Sequence, residues 1–299
     1  MGTANVHDGL DLSRPDEITP EEIAEFHAQY ERTNKGRLDS FEFWIEFRPD
    51  VLKRHKARSR HFFGAEGKAR PVSIQLLAIH QYAIESFGDG IAYEIRLAQS
   101  NGARRADILD VLSVAFIHSG HAGMYAARAD AAQSLRDYVD PETPDRFPAN
   151  WTWEHDLLSS GMDFSSPEAT DDDIAALRSW YTRTIGEVPD WVELLAVRRP
   201  GLLKAYRDRW EHAIRGSVPV QMLPYLLLNR SIVDGNRGAI RENLLLGRAL
   251  GLTAGQIDDA ITMAVLFAGA ECLNVFDADL RALLVDSPPE DPRDRGAQR

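Results

Sequence analysis

Cysteine is nearly absent from this 299-residue chain, with Cys272 the single example. One thiol cannot close an intrachain disulfide, and it cannot supply the attacking and resolving pair that thiol peroxidase chemistry requires. Cys272 sits in apolar sequence and is expected to be a buried packing residue. Long hydrophobic runs are also lacking. The most apolar stretch, Ile261 to Phe276, is 16 residues long and interrupted by Thr262, Glu271 and Asn274, so a buried helix is expected and a membrane span is not. Positive charge is scarce, with a formal net charge of −12, and no basic patch offers the clustered Lys and Arg that nucleic acid demands. The N-terminal Met1-Gly-Thr-Ala-Asn-Val-His-Asp is polar and acidic instead of cationic then apolar, which points to a cytoplasmic protein.

Phosphate-cradling loops are missing as well. Gly64-Ala-Glu-Gly67-Lys68 is two residues shorter than a P-loop and runs into Ala69, and Phe87-Gly-Asp-Gly90 places an acidic residue where phosphate would sit. No segment alternates as a strand would. With 44% hydrophobic and 27% charged residues the chain is globular by composition and long enough for one or two sizeable cores.

What the chain does contain, it contains twice. Thr19-Pro-Glu-Glu-Ile-Ala aligns with Thr170-Asp-Asp-Asp-Ile-Ala, and Arg48-Pro49-Asp-Val-Leu-Lys53 with Arg199-Pro200-Gly-Leu-Leu-Lys204, both 151 residues apart. From about Val72 to Ala127 the offset is 149, pairing Ile91 with Ile240, Gly102 with Gly251, Asp110 with Asp259 and Gly120 with Gly269. That period is too long for a solenoid unit and implies duplication of a domain. The expected organisation is a flexible N-terminus (1–18), a first helical repeat (19–139), an irregular linker (140–169), a second repeat (170–285) and a disordered tail (286–299). Phe147, Trp151, Trp153 and Phe164 in the linker predict that it packs across the domains.

Periodicity is helical throughout, with about six helices per repeat, so the fold class is all-α. Thr19-x-x-Glu22 is a capping box with Pro20 at the first helical position, and Thr170 precedes three aspartates at a positive helix end. Gly251 ends a helix and Thr253-x-x-Gln256 caps the next, a signal that Gly102 and Asp107 echo. Pro49 and Pro200 are expected at first helical turns.

This order of elements resembles the carboxymuconolactone decarboxylase and AhpD-like superfamily: an Arg-Pro segment, an apolar helix, a helix ending in Gly, then a capped helix entering a small-residue turn. The second repeat carries it best, from Asn243-Leu-Leu-Leu-Gly-Arg-Ala-Leu-Gly251 through Thr253 to Gly269. The resemblance implies two tandem AhpD-like helical domains. The peroxidase branch places a Glu, a Cys-x-x-Cys and a His at positions occupied here by Gln75, Phe87, Gly90 and Glu94, and in the second repeat by Pro224, Asn236, Ala239 and Asn243. The decarboxylase branch implies a cofactor-free acid/base site between helices, with its His replaced by Glu94 or Asn243. Such folds form homo-oligomers of single-domain chains, so a tandem chain is expected to associate further, a trimer mimicking a hexamer.

Titratable groups concentrate in the first repeat. His118, His121 and Tyr125 stand at i, i+3 and i+7, on one face of a helix that also carries Val, Ala, Ile, Gly and Met, and correspond to Phe267, Ala270 and Asn274 of the second; His80 pairs with Asn229. We expect a cofactor-independent decarboxylase, isomerase or hydratase acting on a small carboxylated or lactone-type organic acid. His118 and His121 would move the proton, Glu94 would act as acid or orient them, and His80, Tyr125 and Arg96 would bind substrate. Glu242 and Glu271 are assigned structural roles. Two alternatives accompany this reading. One is a non-catalytic ligand-binding or assembly protein; the other is a metal-dependent enzyme using His118 and His121, although the stronger His-Glu-x-x-His signal is absent.

Overall fold

In the computed structural model of the chain, the described residues are 10–11, 13–14, 16–34, 39–58, 72–126, 129–142, 147–214 and 216–285. The expected tail, most of the expected flexible N-terminus and the Gly64 to Lys68 segment lie outside them. The described secondary structure is entirely helical. The first half runs α1 (Pro20–Asn34), α2 (Asp39–Phe47), α3 (Pro49–Arg58), α4 (Val72–Ile84), α5 (Gly88–Ser100), α6 (Arg105–Ser119), α7 (His121–Ala126) and α8 (Ala129–Arg136). The second runs α9 (Asp171–Ile185), α10 (Asp190–Arg198), α11 (Pro200–Glu211), α12 (Met222–Val233), α13 (Arg237–Ala249), α14 (Ala254–Ala268), a 3-10 turn (Ala270–Val275) and α15 (Ala278–Val285). Each half thus carries more helices than the six expected, because short elements follow its last long helix. No described helix is long and apolar enough to cross a membrane.

Helix starts in the second half lie 149 to 151 residues after those in the first. The reasons are local and shared. In α1 the Thr19 N–H donates to Glu22 at 2.9 Å and the Glu22 N–H returns to the Thr19 hydroxyl at 3.2 Å; in α9 Thr170 and Asp173 repeat this at 2.9 and 3.1 Å. Each cap carboxylate is also the buried partner of a lysine, Lys53–Glu22 and Lys204–Asp173, both at 2.8 Å. The ammonium groups then donate to the Glu17 and Glu168 carbonyls, each at 2.7 Å. Pro49 and Pro200 open α3 and α11, which present those lysines. Arg48 turns locally onto Asp50 at 2.8 Å.

One hydrophobic core runs through α4–α6 and the whole second half. The linker belongs to it: Trp151 stacks with Phe147 and meets Tyr225 edge-on at 5.7 Å, and the Trp180 indole donates to the Leu157 carbonyl at 3.1 Å. A backbone bond from Val220 to Thr152 at 2.9 Å ties the linker to the start of α12. The seam between halves forms where α4 packs on α12 and α14, and α6 on α11. At its edge the Arg104 guanidinium donates to the Ser217 carbonyl at 2.6 Å, while the Ser217 hydroxyl and amide donate to Asp110.

The apolar stretch from Ile261 does not form one helix. Gly269, at φ +78°, ends α14, and Cys272 lies in the following 3-10 turn, half-buried instead of buried, with its thiol pKa pushed up by burial.

Candidate functional site at the seam between halves

The i, i+3, i+7 pattern predicts one helical face carrying His118, His121 and Tyr125. The chain interrupts it. α6 stops at Ser119, and Gly120 adopts φ +59° and ψ −128°, a conformation that favours glycine. α7 then begins at His121 in a new direction. Consequently His118 turns into the seam, whereas His121 is exposed at the start of α7. The side chain of Tyr125 lies outside the described residues.

His118 lines a pocket with Val114 and Ile117 of α6, Tyr206 and Trp210 of α11, Ala213, and Leu223 and Leu227 of α12. The space is about 200 Å³ with its open mouth included, of which about 10 Å³ is deep enough for the centre of a water molecule. That enclosed part is close to the minimum for one water. Behind His118 lies His80 of α4, their ring centroids 6.2 Å apart. His80 is fully buried, and neither ring nitrogen has a hydrogen-bond partner. Buried polar atoms are nearly always satisfied, so two orphaned nitrogens on one ring need an explanation.

The surroundings hold both rings neutral. Burial pushes the His80 imidazole well below its ordinary value of 6.5, and the charges of His118 and Arg230 add to the effect. Burial also lowers His118, with Asp234 opposing and Arg230 reinforcing. A neutral imidazole offers one acceptor and one donor nitrogen, the form a general base requires.

A polar cluster lies beside the pair. Arg230 of α12 grips Asp234 at 2.6 Å and stands 3.7 Å from Glu85. The Gln81 amide donates to Glu85 at 2.5 Å, and its carbonyl oxygen is buried without a partner. Thus, among the described residues, the cation whose charge bears on both histidines, Arg230, comes from the second half.

Glu94 and Arg96 sit elsewhere. Both are on α5, which packs on α4 from a different side, together with α1 and α8. Glu94 is buried, and the Gln75 amide donates to its backbone carbonyl at 3.5 Å. Gln75 and His80 are five residues apart, a turn of about 140° around α4. The Glu94 backbone thus meets α4 on a face turned about 140° from His80. Arg96 is half-buried on the same helix.

The positions at which the resemblance would place cysteines are taken up by packing and capping. The Phe87 ring covers Gly90 so closely that a Cβ there would come within 2.4 Å of it. In the second half Asn236 caps α13 by accepting from Ala239 at 3.1 Å, and Asn243 donates to the Ala239 carbonyl at 2.8 Å and to Ser231 at 3.3 Å. Helix capping and ring packing occupy both sites.

Sequence reasoning missed the pocket's far wall. Tyr206, Trp210, Leu223 and Leu227 belong to the second half, and no spacing rule within one repeat connects them to His118. It also named no partners for Glu242, to which it gave a structural role. This carboxylate accepts from the Tyr181 hydroxyl and the Trp191 indole, both at 2.9 Å; burial raises its pKa against those two bonds. Trp191 meets Tyr206 edge-on at 5.5 Å, so the Glu242 network buttresses the pocket wall. Glu271 is exposed in the 3-10 turn. Among the described residues no group of three or more His, Cys, Asp or Glu is placed to hold a metal ion, and His118 and His121 lie in different settings. Compared with protein-family models, curated proteins and solved structures, the chain matches none, so the likeness to the decarboxylase and AhpD-like superfamily rests on its residue pattern alone.

Proposed function

We propose that the protein is a cofactor-independent acid/base enzyme built from two tandem AhpD-like domains, acting on a small carboxylated or lactone-type organic acid. The observation that carries this reading is the His80–His118 pair: a fully buried imidazole with two unpartnered nitrogens, set behind a second imidazole that lines a pocket. His118 is the base that contacts substrate and takes a proton from a carbon beside a carbonyl. His80 stands behind it as a proton relay, its nitrogens unpartnered while the seam is closed. Glu94, Arg96 and His121 are removed from the reacting centre in this assignment. Because the enclosed space is water-sized, substrate enters only when the seam widens.

The test follows solvent-deuterium exchange and turnover by NMR over a panel of small lactones and oxo acids. His118→Ala should lower the rate by about 10²- to 10⁴-fold, the usual contribution of a general base. Full activity in that variant would remove His118 from the mechanism.

Assembly is the second reading, favoured by apolar side chains left exposed at corresponding places. Phe43, Trp44 and Phe47 project from α2, and Leu194 and Val197 from α10 with Leu202 of α11. We assign these faces to a homo-oligomer, a trimer of two-domain chains. Mass measurement in solution checks it. A cytoplasmic location accords with the acidic composition and belongs to the same proposal.

A further inference from the structure

The seam carries an unusual combination. His80 is fully buried, neither ring nitrogen has a partner among the described residues, and its only described ring neighbour is a second imidazole. A proton placed on either ring would lack a hydrogen-bonded counter-ion in the closed seam. Among the described neighbours only Asp234 opposes this, and only at His118. From α12, Arg230 adds positive charge, and Asp234 is already gripped by it. On α4 itself, Glu85 accepts from Gln81 and faces Arg230. α11 contributes the Tyr206 phenol, and α14 contributes Phe267 against Tyr82. His121 on α7 is exposed, and the Glu94 backbone on α5 meets α4 on a face turned about 140° from His80.

We propose that the His80–His118 pair is a proton-operated latch: with both imidazoles neutral, α4 and α6 stay closed on α11 and α12, and protonation loosens this seam and widens the His118 pocket. The inference rests on the functional reading above in that the widened pocket is the one through which substrate reaches His118, which must shed its own proton there before it acts as base. Its sign follows from linkage. Both imidazoles bind protons less readily when closed than when open, so the closed state is fully favoured above about pH 6.5 and loses ground as pH falls below it. Each proton taken up on opening shifts the balance about tenfold per pH unit.

Hydrogen exchange of the full chain without ligand tests the latch. Exchange is measured at pH 7.5 and 5.5 and corrected for the intrinsic chemistry of the amides. In the parent protein, amides of α6, α11 and α12 should lose about tenfold or more in protection at the lower pH. The substitutions His80→Asn and His118→Phe install the residues standing at the matching positions of the second half, Asn229 and Phe267. Together they should remove most of the pH effect at the seam while amides of α13 are unchanged. Should the double variant not fold, His80→Asn alone should remove part of it. A parent protein with equal protection at both pH values, or a full pH effect persisting in the variants, overturns the latch. The catalytic reading fails separately, by full turnover in His118→Ala at fixed pH.

Discussion

α1–α3 and α9–α11 hold the same device in different company. Both sets centre on a buried lysine bound to the carboxylate that caps the first helix. Around Lys53, among the described residues, the apolar support is thin: Phe26 and Leu52 are the buried residues of a small cluster separate from the main core. Around Lys204 the support is aromatic and continuous with that core. Arg207 lies 4.0 Å from the Trp180 ring and 4.1 Å from that of Trp210, and Trp191, Tyr206 and Tyr181 surround Glu242. The lesson is that a shared frame fixes where helices begin, while the side chains between its fixed points were free to diverge. The second half spent that freedom on a rigid aromatic wall; the first placed histidines opposite it.

Removing one lysine at a time breaks the comparison most sharply. Lys204→Met should cost about 3–5 kcal/mol of global stability, since it leaves Asp173 buried and unpaired. Lys53→Met should instead release α1–α3 locally, detected by early proteolysis there with a smaller change in the global denaturation midpoint. Equal global losses would show that the first arm is as integrated as the second. Trp210→Ala should cost about 3–5 kcal/mol by opening a cavity beside Arg207, and it should quench ligand binding at His118 by removing the pocket wall.

Exchanging residues between halves has intermediate effects. Asn229→His removes a buried bond to the Ala260 carbonyl, 2.9 Å long, at a cost of about 1–3 kcal/mol. Calorimetry would measure that cost. The smallest effect is the pH dependence. Below the ordinary imidazole value of 6.5 the unfolded chain binds protons that the folded seam refuses. Stability should therefore fall on acidification by about 1.4 kcal/mol per pH unit for each histidine involved. In denaturant titrations His80→Asn should flatten this slope.

Much of the frame was legible beforehand. The capping threonines, the prolines opening α3 and α11, and the glycines ending the long helices are local signals, each acting through its own backbone. The pairing of Lys53 with Glu22 and of Lys204 with Asp173 was not, because spacing cannot say which surface residues become buried together. Two further readings fell to single glycines. Gly120 divides the face that His118 and His121 were expected to share, and Gly269 divides the apolar stretch holding Cys272. Of the candidate site, His80 and His118 stood out on comparing the two halves, which isolates positions where one copy carries a titratable side chain and the other does not. Tyr206, Trp210 and Arg230 became visible only once the halves were folded against each other.

The central claim is that chemistry resides in the His80–His118 pair, and imidazole NMR addresses it most directly. Spectra of protein labelled at histidine are recorded while small lactones and oxo acids are added at pH 7.5. The account predicts that a binding compound shifts the His80 and His118 resonances together and leaves the exposed His121 and His212 unchanged. Binding that moves His121 alone, or that moves neither seam histidine, would contradict it.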